Sequence, residues 1–205
     1  NADKFFNAEN ASDNFGISVN GCGDINGDGN SDIIAGANLS DINGVSSGRA
    51  YIYFNTMTGA DIEDLTFTGF LANDQLGSSV SSAGDVNGDG YGDIIVGANG
   101  YNNGADQGRA YIYFGGSVMN NTADVILTGT SAGDEFGSTV SSAGDVNGDG
   151  FGDVIVGAPG YLTEQGRAYI YYGGSSMKSS ADVILTGASS NDDFGFSVSD
   201  AGDVN

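Results

Sequence analysis

The sequence predicts an all-β fold built from propeller-like blades of four antiparallel strands, and three observations carry that prediction. Glycine makes up 36 of the 205 residues and proline only one, a bias toward tight turns between short strands without the every-third-residue period of collagen. A unit of about 60 residues recurs about 3.4 times, the mark of a repeat architecture. Each unit holds four short apolar runs bounded by Gly, Asn, Asp or Ser and no convincing helix, which is the strand content of one blade.

The elements keep step through the chain. A run DVILTG at Asp124 returns at Asp182 and as DLTFTG at Asp64, with a degenerate DKFFNA at Asp3. An aromatic or leucine followed by glycine comes next, at Phe15-Gly16, Leu76-Gly77, Phe136-Gly137 and Phe194-Gly195. Acidic loops open at Asp24, Asp85, Asp145 and Asp203, spaced 61, 60 and 58 residues apart. Apolar runs follow at 33–37, 94–98 and 154–158, then Gly-Arg-Ala-Tyr-Ile-Tyr from Gly48, Gly108 and Gly166. Counted this way the repeats occupy 3–63, 64–123 and 124–181, with a partial fourth at 182–205. Within the third, strands are expected at Val125–Thr128, Ser138–Ala143, Asp153–Val156 and Arg167–Tyr172. The Ala-Tyr-Ile-Tyr run alternates on a period of two, while Ile-Ile-Val-Gly-Ala is apolar throughout, as a strand covered on both faces must be. The chain opens at Asn1 without an initiator Met and stops inside a motif at Asn205. It reads as a mature form or a piece of a longer chain.

Charge narrows the function. Lys and Arg total 5 against 27 Asp and Glu, a net charge of −22, so nucleic acid and anionic membranes are poor partners and divalent cations natural ones. With no His and a single Cys, Cys22, histidine triads, histidine zinc sites and intrachain disulfides drop out. No apolar run reaches the roughly 18 residues of a membrane span, so membrane insertion is not expected.

The acidic loops supply the candidate ligands. They run Asp24, Asn26, Asp28, Asn30, Asp32; Asp85, Asn87, Asp89, Tyr91, Asp93; and Asp145, Asn147, Asp149, Phe151, Asp153. Oxygen side chains stand at positions 1, 3, 5 and 9, glycine at 6, and the backbone carbonyl of Asn30, Tyr91 or Phe151 at 7. A hard cation of the size of Ca²⁺ asks for such a set, and one Ca²⁺ per complete loop is expected, three in all. Position 12 holds Ala35, Val96 or Val156 in place of the bidentate Glu of an EF-hand. The loop at Asp203 carries only Asp203 and Asn205 of its set.

The combination of Phe-Gly, Gly-Asp-Val-Asn-Gly-Asp-Gly and Gly157-Ala158-Pro159, with Gly36-Ala37-Asn38 and Gly97-Ala98-Asn99 as variants, resembles the FG-GAP repeat of the integrin α-subunit propeller and its bacterial relatives. The resemblance covers essentially the whole chain, with Leu76 standing where the second copy would have Phe. It implies a seven-bladed extracellular or cell-surface propeller, with Ca²⁺ in loops between two strands of a blade, used in adhesion or in binding a protein or glycan ligand.

Other features are read as scaffold or as rivals. Arg49, Arg109 and Arg167 are all the arginines, each in Gly-Arg-Ala, and are expected to pair with a repeated carboxylate at each blade junction. Cys22 aligns with Ala83, Ala143 and Ala201 and reads as a small buried residue. Asn10, Asn38 and Asn120 match the N-glycosylation pattern. A carbohydrate-binding role on the same scaffold would use Tyr101 and Tyr161, at equivalent loop positions. A hydrolase would need an acid pair outside the loops, and none stands out, so catalysis is not expected. Half a propeller exposes two apolar faces, to be covered by further blades of a longer chain, another copy or a fibre-like stack, and the covered face is expected to carry Tyr51, Tyr111 and Tyr169.

Overall fold

A computed structural model describes residues 10–54, 65–101 and 107–202. The copy at Asp3, the opening Asp64, part of the loop 99–107 and the loop from Asp203 lie outside the described residues. Among the described residues twelve strands form three four-stranded antiparallel sheets. The first contains β1 (Phe15–Gly23), β2 (Asp32–Ala37), β3 (Arg49–Tyr53) and β4 (Leu65–Thr68). The second contains β5 (Leu76–Gly84), β6 (Asp93–Ala98), β7 (Arg109–Tyr113) and β8 (Val125–Thr128). The third contains β9 (Thr139–Gly144), β10 (Asp153–Ala158), β11 (Arg167–Tyr171) and β12 (Val183–Thr186). Strand order follows chain order in each sheet, so each sheet is a simple meander, the topology of a propeller blade.

Sequence repeat and blade are out of phase. The DLTFTG and DVILTG strands close the sheet before them: Ile52 pairs with Leu65, Ile112 with Val125 and Ile170 with Val183. The strand at Val125–Thr128 thus belongs with β5–β7, and β9–β11 take β12 as their fourth.

The apolar runs form the middle strands, and β6 is buried along its whole length. They are covered because blades pack face to face. Ile34, Ala50, Ile52 and Phe67 of the first blade share one core with Val80, Ile94, Val96 and Tyr113 of the second. Ile95, Ala110, Ile112 and Leu127 of the second share another with Val140, Val154, Val156 and Tyr171 of the third. Tyr111 and Tyr169 sit inside these junctions, and Tyr51 is buried beneath Phe15 on the outer face of the first blade. The face left open at the other end of the stack carries Leu185, Phe194 and Phe196 instead.

Blades approach most closely along β1, β5 and β9, where serines bridge them: the Val80 N–H donates to Ser18 Oγ (3.0 Å) and the Val140 N–H to Ser79 Oγ (3.1 Å). The glycines of the two motif halves meet across the same junction. A Cβ on Gly36 would stand 2.0 Å from the Gly77 carbonyl oxygen, and one on Gly97 2.0 Å from that of Gly137. Only glycine allows backbones that close.

The junctions solve one packing problem in two ways. Phe136 sets its ring edge-on to Tyr169 and Tyr171, at 5.3 and 6.3 Å, opposite Leu127. Where Leu76 replaces the aromatic, Phe67 comes from across the junction and stacks on Tyr113 at 3.9 Å. The ring moves from one blade to its neighbour and the volume is conserved.

One helical turn, α1 (Tyr161–Glu164), interrupts the β2-to-β3-type connection of the third blade. Leu162, Thr163 and Glu164 have φ of 45, 60 and 61°, so the turn is left-handed, a conformation costing about 1–2 kcal/mol per L-residue. Among the described residues no helix is long and apolar enough to cross a membrane.

Candidate metal centres

The acidic loops connect the first two strands of each blade and fold alike. Asp24 takes three backbone N–H groups, those of Gly27 (2.7 Å) and Asp28 (3.0 Å) on Oδ1 and that of Gly29 (2.8 Å) on Oδ2. Asp85 takes Gly88, Asp89 and Gly90, and Asp145 takes Gly148, Asp149 and Gly150, all within 2.7–3.1 Å. Gly27 and Gly29 sit at φ of 80 and 88°, the left-handed backbone that turns consecutive N–H groups inward.

Positions 3 and 5 lie at the exposed rim. The Asn26, Asn87 and Asn147 oxygens accept the N–H of the residue two on, at 2.8–2.9 Å, and the Asn amides reach the Oδ2 of Asp28, Asp89 and Asp149. The Oδ1 of those aspartates accepts the N–H of Asn30, Tyr91 or Phe151 at 2.8–3.0 Å. The Asn30 N–H holds the Asp28 carboxyl below its usual range.

Position 9 forms the floor. Asp32, Asp93 and Asp153 are fully buried, each accepting the N–H of its own loop's second residue, Ile25, Val86 or Val146, at 2.8–3.1 Å. A second donor comes from the far side of the sheet: Gly115 N–H to Asp93 Oδ1 (2.7 Å) and Gly173 N–H to Asp153 Oδ1 (2.9 Å). Burial pushes the Asp93 carboxyl up to about 7; the two N–H donors oppose this, and the charges of Asp89 and Asp85 add to it. Asp153 is raised for the same reasons.

The floor carboxylates Asp93 and Asp153 feel the two other carboxylates of their loops, yet among the described residues no three acidic side chains converge tightly enough to hold a metal ion unaided. The donor set is nevertheless oxygen throughout and suits a hard cation: carboxylates at positions 1, 5 and 9, an amide at 3 and a carbonyl at 7. These are the groups that would hold Ca²⁺, and the cation would supply compensation for crowded negative charge.

Spacing alone did not reveal the Gly115 and Gly173 donors, which stand 22 and 20 residues beyond the aspartates they serve. Their signal is the repeated glycine pair 115–116 and 173–174.

At the opposite end Arg109 and Arg167 depart from expectation. The Arg109 guanidinium lies over the Tyr101 ring at 3.7 Å and that of Arg167 over Tyr161 at 3.5 Å, cation–π contacts in place of the bidentate carboxylate pairs foreseen. Asp74 is near enough to Arg109 for its charge to act on the carboxyl. Tyr101 and Tyr161 are thereby engaged as platforms for arginine. Cys22 is buried, and burial with the charge of Asp32 pushes its thiol up to about 12.

Comparison with known proteins agrees with this architecture. The chain is 34% identical over 167 residues to integrin alpha-5 of Xenopus laevis, covering 78% of the chain and 15% of that protein. To integrin alpha-8 of Gallus gallus it is 32% identical over 209 residues, covering 94% of the chain and 19% of the relative. To the phosphatidylinositol-glycan-specific phospholipase D of Rattus norvegicus it is 37% identical over 126 residues, covering 55% of the chain and 15% of the relative. The chain spans less than a fifth of the length of each of these relatives. The FG-GAP repeat model matches residues 15–53, 76–113 and 136–171, each running from the first strand of a blade to the end of its third. With that model matched three times over more than half its length, the chain belongs to the FG-GAP repeat family.

Proposed function

We propose that the chain is a Ca²⁺-binding β-propeller module of an extracellular or cell-surface protein, acting in adhesion or protein assembly and not in catalysis. The observation that carries this reading is the threefold recurrence of one oxygen-lined loop with the same internal hydrogen bonds at the same place in each blade. A solvated acidic turn has no reason to recur with a buried aspartate beneath it. Cation compensation of a buried aspartate whose pKa burial raises and the other loop carboxylates raise further, as at Asp93 and Asp153, gives the recurrence a function. The integrin relatives support the adhesive role, and the phospholipase D relatives share the same repeats over 15% of their length, a share suited to an accessory module.

The partner is a protein or glycan at an extracellular surface, and further blades or other copies of the chain cover the open faces. A carbohydrate site built on Tyr101 and Tyr161 is not favoured, since arginine covers both rings. Calorimetric titration of the chelator-treated chain with Ca²⁺ tests the reading. Saturable binding approaching three ions per chain supports it, and no heat of binding at millimolar Ca²⁺ refutes it.

A further inference from the structure

Neighbouring loops are physically joined. The Tyr91 ring lies against Gly27, position 4 of the first loop, so that a Cβ there would stand 2.5 Å from Tyr91 Cε1. One blade on, a Cβ on Gly88 would stand 2.5 Å from Phe151 Cε1. The backbone repeats the connection. The Gly92 N–H donates to the Asp24 carbonyl (3.2 Å) and the Gly152 N–H to that of Asp85 (2.7 Å). The Gly116 and Gly174 N–H groups donate to the Ile25 and Val86 carbonyls, at 2.8 and 2.7 Å.

Tyr91 and Phe151 therefore serve two loops at once. By backbone each occupies position 7 of its own loop, its N–H bound to Asp89 or Asp149. By side chain each forms the wall of the loop before it. We propose that Tyr91 and Phe151 are positioning residues that couple adjacent cation loops, so that Ca²⁺ in one loop raises the affinity of the loop before it. This inference rests on the cation reading above. Fixing the backbone at position 7 fixes the ring, and the ring holds the preceding glycine turn in the conformation that aims its N–H groups at Asp24 or Asp85. The first ion bears an ordering cost that the second no longer meets. The coupling must be reciprocal, and a factor of about ten lies within the usual range.

The test compares the first loop with and without its neighbour. In the full chain, changing Asp145 and Asp149 to Asn leaves the first two loops as the acidic sites, and changing Asp85 and Asp89 as well gives a first-loop chain, whose Ca²⁺ affinity by calorimetry should be about tenfold weaker than that of the first loop beside a filled second loop. In the two-loop chain Tyr91→Ala should weaken the first loop by the same factor. Tyr91→Phe should restore it, since the ring and not the hydroxyl meets Gly27. Phe151→Ala, remote from the first loop, should leave it unchanged. With all acids intact, the titration should show a Hill coefficient above one. Unchanged first-loop affinity in Tyr91→Ala, an equal loss in Phe151→Ala, or a Hill coefficient of one in the intact chain each overturns the coupling while leaving the cation reading in place. Absence of Ca²⁺ binding to the first-loop chain with Tyr91 present overturns both.

Discussion

The loops 85–93 and 145–153 differ in sequence only at Tyr91 and Phe151, yet they occupy different surroundings. Their internal hydrogen bonds match one for one. Val86 is 0% exposed beneath the third blade, whereas Val146, its counterpart, is 51% exposed. Gly88 is walled by Phe151, and Gly148 meets no atom within 4 Å. The nine residues of a loop thus dictate its own conformation, and the next blade dictates how firmly that conformation is enclosed. Enclosure, not ligand identity, separates the first two loops from the third.

Chelation should act most strongly on this contrast. At a Ca²⁺ concentration 100 times the dissociation constant each occupied site adds about 2.7 kcal/mol, and the enclosed loops should fill first. Excess chelator should lower the melting temperature well beyond the effect of added NaCl. Hydrogen exchange should show loops 24–32 and 85–93 losing more protection than 145–153. Identical melting in excess Ca²⁺ and excess chelator would remove the cation from all three.

The next effect tests enclosure without a metal. Ile25 lies at position 2 of the first loop with 0% exposure, inside the core shared by the first two blades. Ile25→Ala should cost about 2–5 kcal/mol. Val146→Ala, at the open counterpart, should stay within about 0.5 kcal/mol. Urea unfolding of the two variants reads the difference, and similar losses would mean that both positions are enclosed alike.

A smaller effect compares the two junctions. Leu76→Phe alone places a second ring beside the Phe67–Tyr113 stack and should destabilise by about 1–3 kcal/mol through overpacking. Phe67→Leu alone removes the stack. The double variant recreates the arrangement of Leu127 and Phe136 and should recover most of the loss, a coupling that a double-mutant cycle measures. Additive losses would show that the two residues pack independently.

Much of this was legible in the sequence because repetition exposes what one copy hides. The apolar runs and acidic loops recur in register, and both fall where spacing placed them. The phase of the blade was not legible. The strand at Val125–Thr128 follows its partner β7 by a longer connection than the one leading on to β9, so proximity in sequence favours the wrong neighbour. What decides is the crossing to the next blade, fixed by the Phe136 N–H bond to the Gln107 carbonyl (3.3 Å), a contact between segments 29 residues apart in sequence. The candidate ligands could be named from spacing, but the second donor to Asp93 comes from a distant glycine pair. The stacking of Arg109 on Tyr101 depends on the fold of the β6-to-β7 connection, where the two residues lie eight positions apart.

The smallest effect concerns enclosure at the other end of the blades. Asp74 is buried, with Oδ2 accepting the Phe70 and Leu71 N–H groups at 2.9 and 2.7 Å and Oδ1 without a hydrogen-bond partner. Burial raises its pKa above 3.8, while the two N–H donors and the charge of Arg109 oppose the rise. The folded chain therefore holds this proton more tightly than the unfolded chain. The stability it contributes is complete below about pH 3.8 and is lost as pH rises through the folded value. Asp74→Asn keeps an oxygen for the two N–H groups and cannot titrate. Relative to wild type, its urea midpoint should therefore rise from about pH 4 and level off once the pH passes the folded value. Working in chelator throughout leaves the loop carboxylates equal in both proteins, so that the difference between the two midpoint curves isolates Asp74. A difference that does not vary with pH would mean that the Asp74 carboxyl is as well solvated as in the unfolded chain, and that enclosure at this end of the junction is looser than at the cation loops.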